Sequence, residues 1–486
     1  MLRGSFFPDY FMSNPFTPIH RTYVQKLIQP LLAALAVCCV ATLEFPVANA
    51  QTPAPGTLDS TFNPVLDNLA FTIYAMKALP DGKTLAGGDF SKINGVTQRS
   101  FTRLTPNGTV DPAFQGLVGA DDSVRAIAVQ PDGKIVVGGD FSTINGASWK
   151  GLARLNADGT PDSTFGSFAG ISSYGYVKAV AVQPDGKILI GGNFSQVNGV
   201  SRNYFARVNT NGSLDVSFSA PADDHVNAIV VRPNGKILVG GAFTHLNNQS
   251  HNHLVQLNAD GTTDSSFNVD VDDIVQTIVL QSNNQIFIGG WFYYVNGSRH
   301  EHIARLNSDG TTDNAFTAST SGNVYTLALQ WNGKILVGGS FNNVNGSSRN
   351  KIACLNPNGL LDSTFDTGVG PDSTVLSITV QSDGKSVIGG EFSNVASVGR
   401  TRMARLFGDP PPPPPAPEGV AMIYPAVEIG WASVTNGLYQ IQWSSEVDPS
   451  NWQDFGSPIA GNGMTNWIYD TTRGGPKKFY RVIKLQ

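Results

Sequence analysis

From residue 124 the chain reads VRAIAVQ-PDG-KIVVGGDF-STINGAS-WKGLARLN-ADG-TPDSTF. The first run alternates apolar and polar positions and is β-branched, so it predicts a strand with one buried face. PDG is a turn, a second apolar run follows, and an Asn-Gly loop leads into a third run. A further turn, ADG, precedes a short closing run. The pattern predicts four short strands in about fifty residues, joined by connections tight enough to force antiparallel pairing.

The same pattern recurs along the chain. Apolar residues followed by Gly-Gly-x-Phe occur seven times, with the phenylalanines at Phe90, Phe141, Phe194, Phe243, Phe292, Phe341 and Phe392. Asp-x-x-Phe also occurs seven times, beginning at Asp59, Asp111, Asp162, Asp215, Asp264, Asp313 and Asp362. A four-stranded unit repeated seven times at this period predicts a seven-bladed β-propeller over residues 57–408. A β-solenoid is the alternative, although its coils are usually shorter and need caps.

The phase of the repeat points to ring closure. The chain enters on a closing element alone, TLDSTF (Thr57 to Phe62), and the last copy ends after its third run, MARLF (Met403 to Phe407). Lending the spare element to the last copy would pair both chain ends and leave no open edge.

Gly-Gly-x-Phe, the Asn-Gly loop, LARLNADGTxDxxF and the PDGK turn together resemble the delta-60 repeat, a propeller-type repeat of bacterial surface proteins. The resemblance covers about 350 residues and implies a fold while leaving activity open. The apolar-Gly-Gly strand is also similar to kelch repeats, but the Tyr and Trp that follow it there are absent.

Pro410 to Pro415 form an unbroken proline run, so residues 409–418 read as a stiff polyproline linker, extending at about 3.1 Å per residue. Residues 419–486 alternate in short runs, VEIGWASV, LYQIQWSS, NWIYD and KFYRVIKL. They resemble a fibronectin type III or immunoglobulin-like β-sandwich, with Trp431 as core tryptophan and Tyr480 as a late-strand tyrosine. Trp443, Trp452 and Trp467 either line a sugar-binding face or fill the small core; filling the core is the expectation.

Gly (52) and Pro (29) are plentiful in the 486 residues, in keeping with a turn-rich all-β chain. The net charge of -5 and the lack of any basic run argue against nucleic acid as a partner. Residues 1–50 read as a signal peptide: Arg21 and Lys26 precede LIQPLLAALAVCCVATL, and Ala48-Asn49-Ala50 fits a cleavage site. The expectation is a secreted or cell-surface protein with no membrane span after cleavage. Lipidation at Cys38 is the lesser alternative, and Met12 is a second candidate start. Cleavage would leave Cys354 alone, so no disulfide is available and packing must supply stability.

The repeats act as internal controls. A residue identical in all copies belongs to the scaffold; a residue peculiar to one copy is where function can reside. By this test the recurrent Asp, Gly-Gly and Phe are structural. A recurrent arginine at Arg103, Arg154, Arg207, Arg305 and Arg405 is replaced by Gln256 and Cys354 in two copies that keep Asp-x-x-Phe, so a pair with the Asp is plausible but dispensable, and a solvated face is the alternative. Copy-specific residues fall in the Asn-Gly loops and in the connections between units, which the blade order places on one face. The candidate binding residues there are Trp149, Asp224, Asp272, Asp273, Trp291, Tyr293, Tyr294, Arg299, His300 and His302. Exposed aromatics beside carboxylates suit sugar stacking or a protein partner.

His300 and His302 flank Glu301, and His251 and His253 occupy the same positions one unit earlier. An H-x-H pair begins many metal sites, but its recurrence in neighbouring copies makes solvated loop edges the expectation. There is no G-x-S-x-G, H-E-x-x-H, phosphate loop or CxxC, so neither cofactor nor metal is expected. The leading reading is an exported, non-enzymatic binding module for glycan or protein. One alternative is a carbohydrate-active enzyme using Asp224, Asp272 and Asp273; the other is a structural spacer without a specific ligand.

Overall fold

The structure, a computed structural model, describes residues 53–67, 72–114, 119–172 and 174–412. Of the C-terminal segment it describes 422–423, 428–444, 452–461, 463, 465–469 and 479–485. The signal-peptide reading at 1–50 and most of the proline run lie outside these residues.

Each unit folds as a three-stranded antiparallel sheet. In the second, an inner strand Val124–Val129 pairs with a middle strand Ile135–Gly139, which pairs with an outer strand Leu152–Leu155. Seven such sheets, one per unit, occur between residues 72 and 406. Each inner strand packs on the inner strands of the blades before and after it, and the first, Thr72–Ala78, packs on the last, Val375–Val380. The protein is therefore a closed, seven-bladed, all-β propeller, followed by a small β-sandwich.

The closing run differs from the expected fourth strand. Only two residues separate Gly159 from Asp162, so a single bridge forms (Leu155 with Pro161), and the same holds in the other units. The chain then turns on the aspartate. Asp162 Oδ1 accepts from the backbone N–H and hydroxyl of Thr164 at 3.0 and 2.7 Å, which is an Asx turn. Its Oδ2 accepts from Arg154 Nε at 2.7 Å and Lys134 Nζ at 2.9 Å.

This cluster joins neighbouring blades. Arg103, paired with Asp111, donates from Nη1 to Ala157 O in the ADG turn of the next blade at 2.6 Å. Arg207 repeats the contact on Ala259 O, and each guanidinium covers the Phe of its own Asp-x-x-Phe. Closure uses the same parts taken from opposite chain ends. Asp59 N–H donates to Arg405 O at 2.8 Å, Arg405 Nε donates to Asp59 Oδ2 at 2.9 Å, and Leu58 bridges Leu406.

The arginine absent from blade four is relocated there, whereas blade six sets Cys354 against Gln330 and has no arginine at either position. Blade three sets Gln183 on its inner sheet edge against Arg207; blade four has Arg232 there, against Gln256. Arg232 Nη1 still reaches the next blade, at Ser308 O, 2.9 Å, while Gln256 Nε2 holds Asp264 at 2.6 Å. Exchanging the two (Arg232→Gln with Gln256→Arg) is expected to restore most of the stability that either single change loses. Denaturant midpoints should give a coupling of about 1–3 kcal/mol.

The paired glycines are steric requirements, since neither lies in the left-handed region. A Cβ on Gly138 would fall 2.6 Å from Val177 Cγ1 of the next blade, and one on Gly139 would collide with the Ser123 carbonyl of its own inner strand. The last blade repeats this across the closure, with Gly389 against Ile73 at 2.6 Å.

In the C-terminal part, one sheet comprises Met422–Ile423, Glu428–Ala432 and Thr465–Tyr469. The other comprises Leu438–Ser444, Gln453–Asp454, Ile459–Ala460 and Phe479–Lys484. Ile429 and Trp431 from the first sheet pack with Tyr439, Ile441 and Val482 from the second. Trp431 is buried as expected. The Tyr439 hydroxyl accepts from Val434 N–H at 2.9 Å, while Tyr480 packs edge-on against Phe455. Trp452 lies under the Arg481 guanidinium at 4.5 Å; the Trp467 side chain lies outside the described residues.

Candidate functional site

In every inner strand one residue is bulged out of register with the middle strand. The bulged residues are Tyr74, Arg125, Lys178, Asn227, Gln276, Tyr325 and Leu376, all half-buried. A bulge re-aims a side chain off the sheet face, and Tyr74, Arg125, Lys178 and Gln276 meet side chains of other blades. Lys178 Nζ donates to Gln276 Oε1 at 3.0 Å, joining blade three to blade five across the channel. Arg125 lies between Tyr74 and Tyr176, with its carbon centre 4.7 and 4.9 Å from the two ring centroids. Asp140, which follows the Gly-Gly pair, accepts from Arg125 Nε at 2.9 Å and Nη2 at 2.7 Å.

The polar and aromatic groups continue around the channel mouth. Tyr176 stacks on His225 at 6.2 Å, His225 meets Tyr204 at 5.5 Å, and its Nδ1 bonds Asp224. Burial and the charges of Asp122 and Asp140 hold Asp89 above the usual carboxylate range, against the pull of Arg125. An arc of aromatic, cationic and acidic groups thus runs across blades one to four. The inner-strand members of this arc lie outside the loops where copy-specific residues were expected, yet the repeat carries a signal for them. The residue after the inner strand's recurrent Val or Ile is Tyr, Arg, Lys, Asn, Gln, Tyr and Leu in the seven copies, a copy-specific position inside otherwise repetitive scaffold.

The structure divides the sequence-derived candidates among three places. Asp224 belongs to the mouth. Trp291 follows a Gly-Gly pair as Asp140 does; its backbone N–H donates to Ile274 O at 2.9 Å and its ring Nε1 is buried without a hydrogen-bond partner. Asp272 and Asp273 have local duties. Asp272 Oδ1 accepts the backbone N–H groups of Tyr293 and Tyr294 at 2.9 and 2.8 Å, and Asp273 accepts from Ile274 N–H at 2.7 Å. Asp121, Asp223 and Asp372 cap the corresponding hairpins, so Asp272 is scaffold.

Tyr294, Arg299 and His300 lie on the outer rim instead of the loop face. Each Asn-Gly loop is a two-by-two hairpin, here Tyr294–Val295 with Ser298–Arg299, with both turn residues at positive φ (Asn296, 50°; Gly297, 73°). Asn296 Nδ2 donates to Gly310 O at 3.0 Å in the Ser308-Asp309-Gly310 turn, so the hairpin folds down the outside of the blade. Tyr294 and Arg299 face each other across it, exposed, and Arg299 pairs with Glu301. Arg299 and His300 border a rim cavity of about 360 Å³ with Asn314, Ser319 and Asn345.

Two expectations need correction. Trp149 is 7% exposed and packs edge-on against Phe165 at 6.1 Å. It fills the space between outer strand and hairpin and offers no surface to a ligand. His302 is not a solvated loop edge: it has φ 66°, is buried, and meets the Tyr293 ring at 4.8 Å. Burial lowers the proton affinity of the His300 and His302 imidazoles. Among the described residues no three of His, Cys, Asp or Glu come together as metal ligands.

The family model described as a domain of unknown function (DUF5122) β-propeller matches seven segments: 79–114, 130–165, 183–218, 232–267, 281–316, 330–365 and 381–409. A search among curated proteins returned no match. Among solved structures, the WD40 β-propeller domain of Doa1 is similar at 14% identity and a TM-score of 0.46, over 71% of this chain and 95% of that one. Streptogramin B lyase is similar at 10% identity and a TM-score of 0.38, over 71% and 98%. PorZ of Porphyromonas gingivalis, a bacterial surface component of the type-IX secretion system, is similar at 12% identity and a TM-score of 0.38, over 86% of this chain and 60% of its own.

Proposed function

The chain belongs to the DUF5122 β-propeller family, and on that premise we propose that it is an exported binding module, holding a glycan or protein ligand over its channel mouth. The observation that supports this most is the use made of copy-specific residues. Those on the inner strands and after the Gly-Gly pairs converge on one place, whereas the acids that an enzyme would need at Asp272 and Asp273 are occupied by backbone N–H groups. Aromatic faces at Tyr176, Tyr204 and Trp291 beside charged groups suit stacking and hydroxyl bonding. The organisation we propose is a signal peptide at 1–50 cleaved after Ala50, a propeller at 57–408, a linker at 409–418 and a fibronectin-type or immunoglobulin-like sandwich at 419–486. Among the described residues no helix is long and apolar enough to cross a membrane.

The test is a glycan array and a pull-down from extracellular material using the intact chain. A ligand should be found whose affinity falls about tenfold or more in His225→Ala and Trp291→Ala, the range of a central contact, and little in the rim variant Tyr294→Ala. A ligand lost only with Tyr294 or Arg299 would move the site to the rim. Failure to find any ligand favours the spacer reading.

A further inference from the structure

The channel contains a cation that the propeller leaves without a counter-charge. Arg125 is ion-paired with Asp140, although its charge still acts on Lys178. Lys178 has Gln276 as its hydrogen-bond partner and forms no ion pair with a carboxylate among the described residues. Burial, together with the charge of Arg125, pushes the Lys178 amine down to about 8. At neutral pH it is still largely an ammonium, held at a cost because protein replaces much of its water. The recurrent lysines of the scaffold behave in the opposite way. Lys134, Lys187 and Lys236 each sit on the aspartate of an Asp-x-x-Phe.

Position and shape add to the electrostatics. Lys178 projects from a bulge, a device that re-aims one side chain away from a sheet face. Its Nζ keeps two N–H groups beyond the bond to Gln276, and the Gln276 amide can donate from its other end. The neighbouring guanidinium of Arg125 is immobilised between two tyrosine rings, so it adds positive potential without collapsing onto the site.

We propose that the channel is an oxyanion site, in which Lys178, bridged to Gln276 and backed by Arg125, receives a carboxylate or phosphate group carried by the ligand. The proposal rests on the reading of the channel mouth as the binding face and names the chemistry of its ligand. An anion there would offset the desolvation of Lys178 and its repulsion by Arg125 together, which is why one charge of this sign fits and a neutral group does not.

Calorimetric titration of the full chain with glucuronate, glucose 6-phosphate, inorganic phosphate and glucose tests it. At least one anion should bind while glucose does not. Lys178→Met should weaken that binding by roughly 10–100-fold, as for loss of a charged hydrogen bond. Binding of glucuronate alone assigns a carboxylate; binding of the phosphates alone assigns a phosphate. The Nζ resonance of Lys178, followed by NMR, should titrate at higher pH with the anion present. Lys178→Met should melt no lower than the parent protein, because it removes an unpaired charge; this keeps lost binding distinct from lost fold. Anion binding that survives Lys178→Met, equal binding of glucose, or no anion binding overturns the site. A glycan or protein ligand that is unaffected by Lys178→Met would overturn the oxyanion site alone and leave the binding-module reading in place.

Discussion

Deleting residues 54–62 is expected to open the ring and lower stability more than any single surface change in the chain. The segment is short but closes the last blade. Phe62 is fully buried, and Leu58 bridges Leu406. Asp59, 1% exposed, accepts from the Arg405 guanidinium, which in turn donates to Pro106 O in the first blade. Blades seven and one are therefore joined through a residue that the N-terminal segment orients. The milder variant Asp59→Ala leaves Arg405 buried with its charge uncompensated and should cost about 3–5 kcal/mol, read as a fall in the urea midpoint. A circularly permuted chain, with residues 54–62 moved to follow the last outer strand, should recover the loss. Its recovery would place the effect in closure; an equal loss in the permuted chain would place it elsewhere in the segment.

Gly139→Ala should be more damaging than the same change at Gly138 or Gly399. Its Cβ would collide with the Ser123 carbonyl, a backbone atom fixed by the pairing of inner and middle strands. A loss of about 3 kcal/mol or more is expected, at the upper end of overpacking. Gly138→Ala presses on the Val177 side chain of the next blade. A side chain can shift where backbone cannot, so about 1–3 kcal/mol is expected. Gly399, exposed in the hairpin of the last blade, has no positive φ, and a methyl group added there would meet nothing within 4 Å. Gly399→Ala should be neutral or stabilising by about 0.4–1 kcal/mol. The order of the three midpoints is the check: a Gly139 variant as stable as the Gly399 variant would remove the steric account of the pair.

Much of the scaffold was legible because each blade repeats the same local contacts. The Asp-x-x-Phe turn, the Asn-Gly hairpin and the Gly-Gly strand each report a structure formed within a few residues or between adjacent units. Seven copies made the pattern unmistakable and exposed the spare element at Thr57 to Phe62. The same logic failed where contact was not local. Asp272 looked peculiar to its unit but caps a hairpin 21 and 22 residues later, as its counterparts do. Trp149 looked like an exposed loop aromatic; its partner is the Phe165 ring, and only packing put it inside. The exchange of Arg232 with Gln256 read as a loss because the two positions are 24 residues apart and their contact is invisible in one dimension.

The amino-acid sequence by itself determined the blade count, the order of the three sheet strands in each blade, the closure and the commitment of the recurrent Asp, Gly-Gly and Phe to scaffold. Those properties follow from periodicity and turn chemistry, which act over short separations. The tertiary structure decided where the copy-specific residues meet. A bulge breaks the alternation that tells which way a strand residue points, so the inward turn of Arg125 and Lys178 has no signature in the run that contains them. Lys178 and Gln276 are 98 residues apart and come together because a ring brings nonadjacent blades to a common axis. Local pattern built the ring, and only its closure created the channel that the candidate ligand would enter.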